Sequence, residues 1–270
     1  MSTTIPKHAQ AVIIGGGVVG CSVAYHLSKL GYKDVVLLER KKLTSGTTWH
    51  AAGLVGQMRS SLNLTQMVKY SGNLYETLES ETGMATGYRR TGSVSLATNQ
   101  ERLTEYKRNA SLAKVHGVDV QILSTDELRK KLDFFNLDDV VGGAWIPKDG
   151  KADPANVAMA LAKGAKNNGV KIFEDVKVTG ILKENGKVRG VQTEFGDMES
   201  EVGENGGGRW ARGGGSTSAR ETREAGARTA KSSGDGEEEA KDDGLRRAQS
   251  TAPGLPGPAL LGTLQLTTCD

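Results

Sequence analysis

Residues 11–54 read AVIIGGGVVGCSVAYHLSKLGYKDVVLLERKKLTSGTTWHAAGL, and this stretch decides the fold. Four apolar residues at 11–14 predict a short buried strand that runs into a turn of the pattern G-x-G-x-x-G. A predicted helix follows, whose apolar side chains recur at helical spacing: Val19, Val23, Leu27 and Leu30. Gly31 ends that helix, and residues 35–38 predict a second buried strand that Glu39 closes.

The glycines and the acid of this unit have physical roles in a dinucleotide-binding turn. Gly15 permits the tight turn, Gly17 lets a pyrophosphate approach the backbone, and Gly20 lets the helix pack closely on the strand. The amides and the dipole at the start of the helix favour phosphate. Glu39 follows Gly20 by 19 residues, where its carboxylate can accept hydrogen bonds from ribose hydroxyls. The unit predicts a nucleotide cofactor but does not distinguish NAD from FAD.

The segment that follows the nucleotide-binding unit carries a family resemblance. Residues 45–54, SGTTWHAAGL, resemble the SG(S/T)TWHAAGL segment of the dimethylglycine and sarcosine dehydrogenases, flavoenzymes of the D-amino-acid-oxidase (glycine oxidase-like) superfamily. The resemblance runs from about residue 10 to about residue 200. It includes LYETLESETGMATGYRRTGSVSLATNQERLTEYKR at 74–108 and PKDGKADPANVAMALAKGAKNNGVKIFEDVKVTGI at 147–181.

The resemblance implies that the cofactor is FAD and that His50 carries it through a covalent bond to its 8α-methyl group. A histidine beside small residues is, on its own, more often structural. Val178 lies where the family's backbone borders the adenine, although a plain core valine is an equally good interpretation. The implied cofactor-binding residues are Gly15, Gly17, Val18, Val19, Gly20, Glu39, Arg40, Gly46, Thr47, Thr48, Trp49, His50, Ala51, Ala52, Gly53, Leu54 and Val178. No metal site is indicated.

The fold class that the resemblance implies is α/β. A Rossmann-like FAD-binding domain of the glutathione-reductase-2-like type is expected at residues 1–84 and 150–212. An inserted, incomplete antiparallel-sheet substrate domain is expected at 85–149. Residues 213–270 are rich in Gly, Ser, Ala and mixed charge, which predicts a disordered tail.

Local patterns predict further elements along the chain. Residues 55–84 predict a helix with Met67, Tyr70, Leu74 and Leu78 on one face and Gly83 as its stop. Residues 92–98 alternate as a half-buried strand does, and residues 144–154 are typical of a loop with a turn at Asp149-Gly150. Helix starts are predicted at Asn99, at the Ser124 and Glu127 capping box, and at Asp153 before Pro154. Strands are predicted at 170–173, 177–182 and 188–195, with a hairpin turn at Asn185-Gly186.

The chain changes character near residue 200. Family members continue into a last strand and an N-(C/A)-(A/G)-G-x-W-A motif, which Asn205, Gly207, Gly208, Trp210, Ala211 and Arg212 match in part. Gly203 and Glu204, however, stand at strand positions that should be apolar, and a buried, unpaired glutamate costs several kcal/mol. Beyond Arg212 we find no further resemblance, and the family's later carboxylate-binding residues and its folate-binding module have no counterpart.

Bulk properties limit the function classes. The net charge of +3 over 270 residues implies no nucleic-acid partner, and no apolar run is long enough to span a membrane. Cys21 and Cys269 are too few for a disulfide framework, and Cys21 is interpreted as a packing residue. Residues 1–9 lack an apolar region and are too short for an Arg-rich presequence, which predicts a cytoplasmic protein. The resemblance implies the mitochondrial matrix instead if the chain is eukaryotic.

The resemblance implies oxidation of the CH–NH group of N-methylated glycines, dimethylglycine or sarcosine, with a hydride passing from the N-methyl carbon to flavin N5. The electron acceptor, an electron-transfer flavoprotein or oxygen, stays open. No catalytic acid or base is assigned, and His26 and His116 are interpreted as structural or solvated. The alternative is a catalytically incompetent or regulatory FAD-domain fragment, as in the pyruvate dehydrogenase phosphatase regulatory subunit, although His50 argues against that relative. An NAD-dependent dehydrogenase is disfavoured by residues 45–54.

Overall fold

The computed structural model describes residues 4–207, and the structural statements below concern that part of the chain. The predicted tail, the later part of the N-(C/A)-(A/G)-G-x-W-A motif from Gly208 onward, and Cys269 lie outside it. The helices are α1 Val18–Lys29, α2 Leu62–Thr82, α3 Gln100–Val115, α4 Thr125–Lys131 and α5 Pro154–Asn167, and a single 3-10 turn covers Thr48–His50. The strands are β1 His8–Ile14, β2 Val35–Leu38, β3 Leu54–Val55, β4 Arg89–Arg90, β5 Ser93–Ala97, β6 Gln121–Leu123, β7 Gly142–Ile146, β8 Gly150–Lys151, β9 Lys171–Phe173, β10 Val178–Glu184, β11 Lys187–Thr193 and β12 Gly196–Asn205.

The largest sheet has the strand order β10-β11-β12-β1-β2-β9. β12, β1, β2 and β9 run parallel, while β10 and β11 form an antiparallel hairpin against β12. β1 and β2 are covered on both faces, as their continuous apolar runs predict. The mixed α/β architecture agrees with the predicted fold class.

The two faces of this sheet have separate cores. Ala11, Ile13, Val35 and Leu37 point to the side on which α1 and α5 pack. Alternate residues on the same strands point to the other face, because side chains alternate along a strand. That second core contains Val12, Val36 and Leu38 together with Val191 and Met198.

The buried face of α1 differs from the predicted one. Val19 is 42% exposed and Leu30 is 38% exposed, whereas the helix buries Val18, Cys21, Ala24 and Tyr25. At Gly20 the helix approaches the carbonyl of Gly15 so closely that no side chain would fit there. Val23 and Leu27 lie at the margin of the core.

The helix predicted at 55–84 is shorter, Leu62–Thr82, and its buried face is rotated from the predicted one. Tyr70 is exposed, while Val68, Tyr75 and Leu78 are buried. Tyr70 instead reaches α1, where its hydroxyl lies 2.9 Å from Nε2 of His26. Gly83 ends the helix with a φ of 69°, as predicted.

The predicted helix starts and the hairpin turn are confirmed. Asn99, Ser124 and Asp153 each accept a hydrogen bond from the backbone of the first helical turn, and Glu127 completes the capping box with Ser124. Asn185 and Gly186 have φ values of 50° and 76°, which a two-residue hairpin requires.

Two smaller antiparallel sheets are formed by strands within residues 54–151. One has the order β5-β7-β6 and the other β3-β8-β4. The predicted loop at 144–154 is therefore partly wrong, because β7 includes residues 144–146 and β8 follows the turn. The Gly-Gly-Ala sequence that opens β7 has low strand propensity. Hydrogen bonding to β5 on one side and to β6 on the other stabilises it as a strand.

The end of β12 corrects a second expectation. Ile13 pairs with Glu204, so the strand is central by order, yet Gly203 and Glu204 are exposed. Pairing between β11 and β12 stops at Glu199, so among residues 4–207 only β1 pairs with the last residues of β12. The carboxylate of Glu204 therefore stays in water and does not bear the desolvation cost that a buried position would impose.

Candidate functional site

The glycine turn between β1 and α1 has the stereochemistry that its sequence predicts. Gly15 has a φ of 104°, which a side chain would strain. A Cβ at Gly20 would collide with the carbonyl oxygen of Gly15, so only glycine allows this approach of helix to turn. Gly206, after β12, packs on the same turn, because a Cβ there would lie 3.1 Å from the amide nitrogen of Gly20. Sequence reasoning missed Gly206, since the family motif has Cys or Ala there.

Thr48 caps α1 from a distance of 30 residues in sequence. The N-cap residue of α1, Gly17, has no side chain to accept a hydrogen bond, and the amide of Val18 donates instead to the hydroxyl oxygen of Thr48 at 3.0 Å. A Cβ at Gly17 would lie 3.1 Å from that same oxygen. Thr48 is buried, so the segment at 45–54 is held against the glycine turn.

Glu39 lies at the carboxyl end of β2, beside the glycine turn. Its Oε2 accepts a hydrogen bond from the amide of Gly16 at 2.6 Å, and its Oε1 accepts one from the amide of Lys41 at 2.8 Å. A carboxylate has about four lone-pair directions, so two contacts leave acceptor capacity for a ligand's hydroxyls. The structure thus brings together the turn and the acid that the sequence assigned to one nucleotide site. Arg40 follows at the surface.

The segment around His50 faces solvent. Trp49 is 57% exposed and His50 is exposed, with their ring centroids 3.7 Å apart and the rings tilted by 31°. The His50 imidazole makes no hydrogen bond to any residue within 4–207. Neighbouring predicted positions differ in exposure: Gly46, Thr47 and Ala52 are exposed and Ala51 is half-buried.

The segment ends in a tight contact that only glycine permits. Gly53 has a φ of 74°, and a Cβ there would collide with the carbonyl oxygen of Ala152. The amide of Ala152 in turn donates to the carbonyl of Gly53 at 2.8 Å. β3 then pairs with β8, which places Leu54, 59% exposed, opposite Lys151.

Val178 begins β10 and is half-buried against the core formed by Val12 and Val36. The plain core interpretation is therefore observed, and an adenine contact stays a prediction.

The other candidate side chains are structural, as predicted. His26 is buried, and burial lowers the pKa of its imidazole. Its Nδ1–H donates to the carbonyl of Ser22 at 2.7 Å, which leaves Nε2 to accept from the Tyr70 hydroxyl. His116 is buried at the end of α3 beside Thr65. Burial raises the pKa of the Cys21 thiol to about 12, so this cysteine stays a protonated packing residue.

The residue that sequence reasoning missed most clearly is Asp149, which was interpreted only as part of a turn signal. It is 5% exposed and accepts hydrogen bonds from Gln57 and Ser93. Its partners are 92 and 56 positions away in sequence, so no local pattern could have identified it.

Comparison with known proteins extends these observations. The mitochondrial pyruvate dehydrogenase phosphatase regulatory subunit of Mus musculus is 43% identical over 210 residues, covering 78% of this chain and 24% of that protein. The mitochondrial sarcosine dehydrogenase of Homo sapiens is 41% identical over 216 residues, with the same coverages. The mitochondrial dimethylglycine dehydrogenase of Rattus norvegicus is 40% identical over 204 residues, covering 76% of this chain and 24% of that protein. The chain thus spans about a quarter of the length of these curated relatives.

Solved structures agree with the fold. L-proline dehydrogenase from P. horikoshii has a TM-score of 0.72 at 29% identity, covering 77% of this chain and 55% of that one. Glycine oxidase from Bacillus cereus has a TM-score of 0.66 at 30% identity, covering 75% and 56%.

A family model described as FAD dependent oxidoreductase (DAO) matches residues 10–224. The match continues past Arg212, where sequence inspection found the resemblance to end. It runs through the glycine turn, Glu39 and the segment of His50. The chain belongs to the DAO family of FAD-dependent oxidoreductases, and the cofactor of that family is FAD.

Proposed function

We propose that this chain binds FAD between the glycine turn and the segment at 45–54, with a covalent link at His50. The observation that carries the proposal is the hydrogen bond from Val18 to Thr48, because it joins the two halves of the candidate site. Two features of the glycine turn support a dinucleotide ligand. Gly17 leaves the backbone uncovered beside the Thr48 hydroxyl, where a Cβ would be crowded. The first turn of α1 bears no acidic side chain that would repel phosphate.

Each part of the site has a proposed task. The start of α1 holds the pyrophosphate, Glu39 accepts hydrogen bonds from the adenosine ribose, and an imidazole nitrogen of His50 bonds the flavin. The solvent exposure of His50 supports this last role, since a nucleophile must be reachable by the group that it attacks. The domain division at residues 84 and 150 is part of the same proposal.

The proposed substrate is an N-methylated glycine, dimethylglycine or sarcosine. When bound, FAD supplies the acceptor for a hydride from the N-methyl carbon, and the protein supplies orientation and electrostatics. Relatives named as sarcosine and dimethylglycine dehydrogenases support this class.

The β3-β8-β4 sheet offers support from this chain's own residues for a substrate with a carboxylate. Cross-strand pairing places Leu54, Lys151 and Arg89 side by side on its solvent face. Like charges directly opposite each other are destabilising, and within residues 4–207 neither cation has an ion-pair partner. We propose that an anionic group of the substrate neutralises them.

A second candidate function is a fragment or regulatory protein without dehydrogenase activity. It is favoured by the 43% identity to the phosphatase regulatory subunit. The compartment proposed for the dehydrogenase is the mitochondrial matrix, which the description of these relatives as mitochondrial supports. Its proposed electron acceptor is an electron-transfer flavoprotein or oxygen.

The deciding experiment is to denature the purified protein with acid and to look for flavin fluorescence that migrates with the chain on a gel. We expect fluorescence in the wild type, none in His50→Ala, and wild-type fluorescence in His8→Ala, an exposed histidine at the start of β1. A wild-type protein that holds no flavin, bound or free, contradicts the proposal and favours the second candidate. If flavin is present, reduction of the flavin absorbance by sarcosine or dimethylglycine without oxygen tests the substrate class.

A further inference from the structure

Asp149 is the only buried carboxylic acid within residues 4–207, and the proposed chemistry does not use it. Burial raises the pKa of its carboxyl, and hydrogen bonds from Ser93 and Gln57 together with the charge of Arg59 oppose that rise. Burying an acid is unfavourable unless its oxygens are satisfied. A buried acid in a turn therefore needs a structural reason.

The hydrogen bonds of Asp149 join three separate segments. Its Oδ1 accepts from the amide of Gln57 at 2.7 Å, two residues after β3. Its Oδ2 accepts from the hydroxyl of Ser93 at 2.6 Å, at the start of β5. Its carbonyl accepts from the amide of Gly92 at 2.8 Å, and its own amide donates to the carbonyl of Ile146 at 3.2 Å. One residue thus fixes the exit of the His50 segment, the start of β5 and the turn from β7 to β8.

β8 connects Asp149 to the segment that contains His50. β8 begins at the next residue and is the central strand of its sheet, pairing with β3 on one side and β4 on the other. Ala152 follows β8 and holds Gly53, where the contact between Gly53 and the Ala152 carbonyl allows no side chain. Gly53 lies three residues after His50. A shift of residues 149–152 would therefore displace the backbone that orients His50.

We propose that Asp149 is a positioning residue, whose two carboxylate hydrogen bonds hold residues 51–57 in the place from which His50 meets the flavin. This inference rests on the proposed function for its flavin step, and its effect on residues 51–57 is independent of flavin. What the site requires is two hydrogen-bonding atoms at the right distances. An amide in the same place would accept from Gln57 and donate to the Ser93 hydroxyl, which can accept as well as donate.

That requirement defines the variants. Asp149→Ala removes both hydrogen bonds and leaves the Gln57 amide buried without an acceptor. Asp149→Asn keeps the shape and both contacts. Thr82→Ala is the matched control, because Thr82 is also buried and hydrogen-bonded, to Leu78 and Met84, at the end of α2.

The test combines two measurements on the full chain, at a temperature where unfolding curves show every variant to be folded. Hydrogen exchange followed by mass spectrometry reports the protection of residues 51–57 in flavin-free protein. The rate of covalent flavin incorporation after addition of FAD reports the positioning of His50. For Asp149→Ala we expect faster exchange confined to the three joined segments and incorporation slowed roughly tenfold or more, because small misplacements of reacting groups have large effects on rate. Asp149→Asn should restore both towards wild type, and Thr82→Ala should change neither.

Each other outcome overturns the inference. Unchanged exchange at 51–57 in Asp149→Ala shows that the contacts do not hold the segment. Faster exchange with unchanged flavin incorporation shows that the segment does not position His50. Equal effects in Thr82→Ala show a general loss of stability. If the wild type takes up no flavin, the proposed function fails, and the flavin step of the inference fails with it, while the exchange measurement still decides whether Asp149 holds the segment.

Discussion

At the scale of single residues, the site depends on positions where a side chain is excluded and on one where a hydroxyl is needed. Gly15, Gly20 and Gly53 either have positive φ values or approach a carbonyl so closely that any Cβ would collide. At Thr48 a side chain is required, because its hydroxyl accepts the hydrogen bond that an N-cap side chain would accept and that Gly17 cannot. The glycines follow from the motif, whereas Thr48 was assigned to cofactor binding without its role as a cap.

Replacing Thr48 with valine should destabilise the protein by about 1 kcal/mol, the usual cost of a lost N-cap. Valine keeps the volume and removes the acceptor for the Val18 amide at the start of α1. Urea unfolding, followed by far-UV circular dichroism, measures the change. Thr47→Val is the control, because Thr47 is exposed and caps nothing with its side chain, and it should stay within about 0.5 kcal/mol of wild type. Equal stabilities for both variants would show that the Thr48 cap contributes nothing.

At the scale of elements, α1 and α2 are linked by one buried imidazole. His26 connects Ser22 on its own helix to Tyr70 on α2. The same link explains why Tyr70 leaves the predicted apolar face of α2, since its hydroxyl turns towards α1 for a partner. Helix periodicity alone could not show this, because the spacing of Met67, Tyr70 and Leu74 fits a core-facing stripe equally well.

The link predicts a pH dependence of stability with a defined sign. Burial lowers the pKa of His26 in the folded protein below its unfolded value of about 6.5, so the folded state prefers the neutral ring. Its contribution is present above about pH 6.5 and is lost as the pH falls through the lowered folded pKa. The free energy of unfolding of the wild type should therefore decrease more steeply on acidification than that of His26→Gln, which cannot titrate. Parallel slopes for wild type and His26→Gln would contradict the prediction.

At the scale of the whole molecule, the largest sheet loses a paired strand along β12 within the described residues 4–207. The first part of β12 is paired on both sides and contributes Met198 to the core, while its last residues have β1 alone as a described neighbour. This change along one strand explains why Glu204 is tolerated where an apolar residue was expected.

Two substitutions on β12 test this change in burial along the strand. Met198→Ala should destabilise the protein by about 2–5 kcal/mol, because it opens a cavity in a fully buried position. Glu204→Val should change stability by less than about 0.5 kcal/mol, because the side chain is already in water. Denaturant midpoints with matched slopes give both values. A large gain in stability for Glu204→Val would mean that the charge is buried after all.

Sequence by itself determined the strand, glycine turn, helix and strand at 11–38, the helix caps at Asn99, Ser124 and Asp153, and the hairpin at 185–186. These depend on stereochemistry and hydrogen bonds within a few residues, which local patterns encode. Only the tertiary structure decided that Thr48 caps α1, that Asp149 is buried beneath Gln57 and Ser93, and that Glu204 lies in solvent. Those outcomes depend on contacts between residues 30 to 92 positions apart, or on whether a neighbouring strand covers the sheet. Local periodicity carries no information about such distant partners, because the same pattern of residues is compatible with many of them.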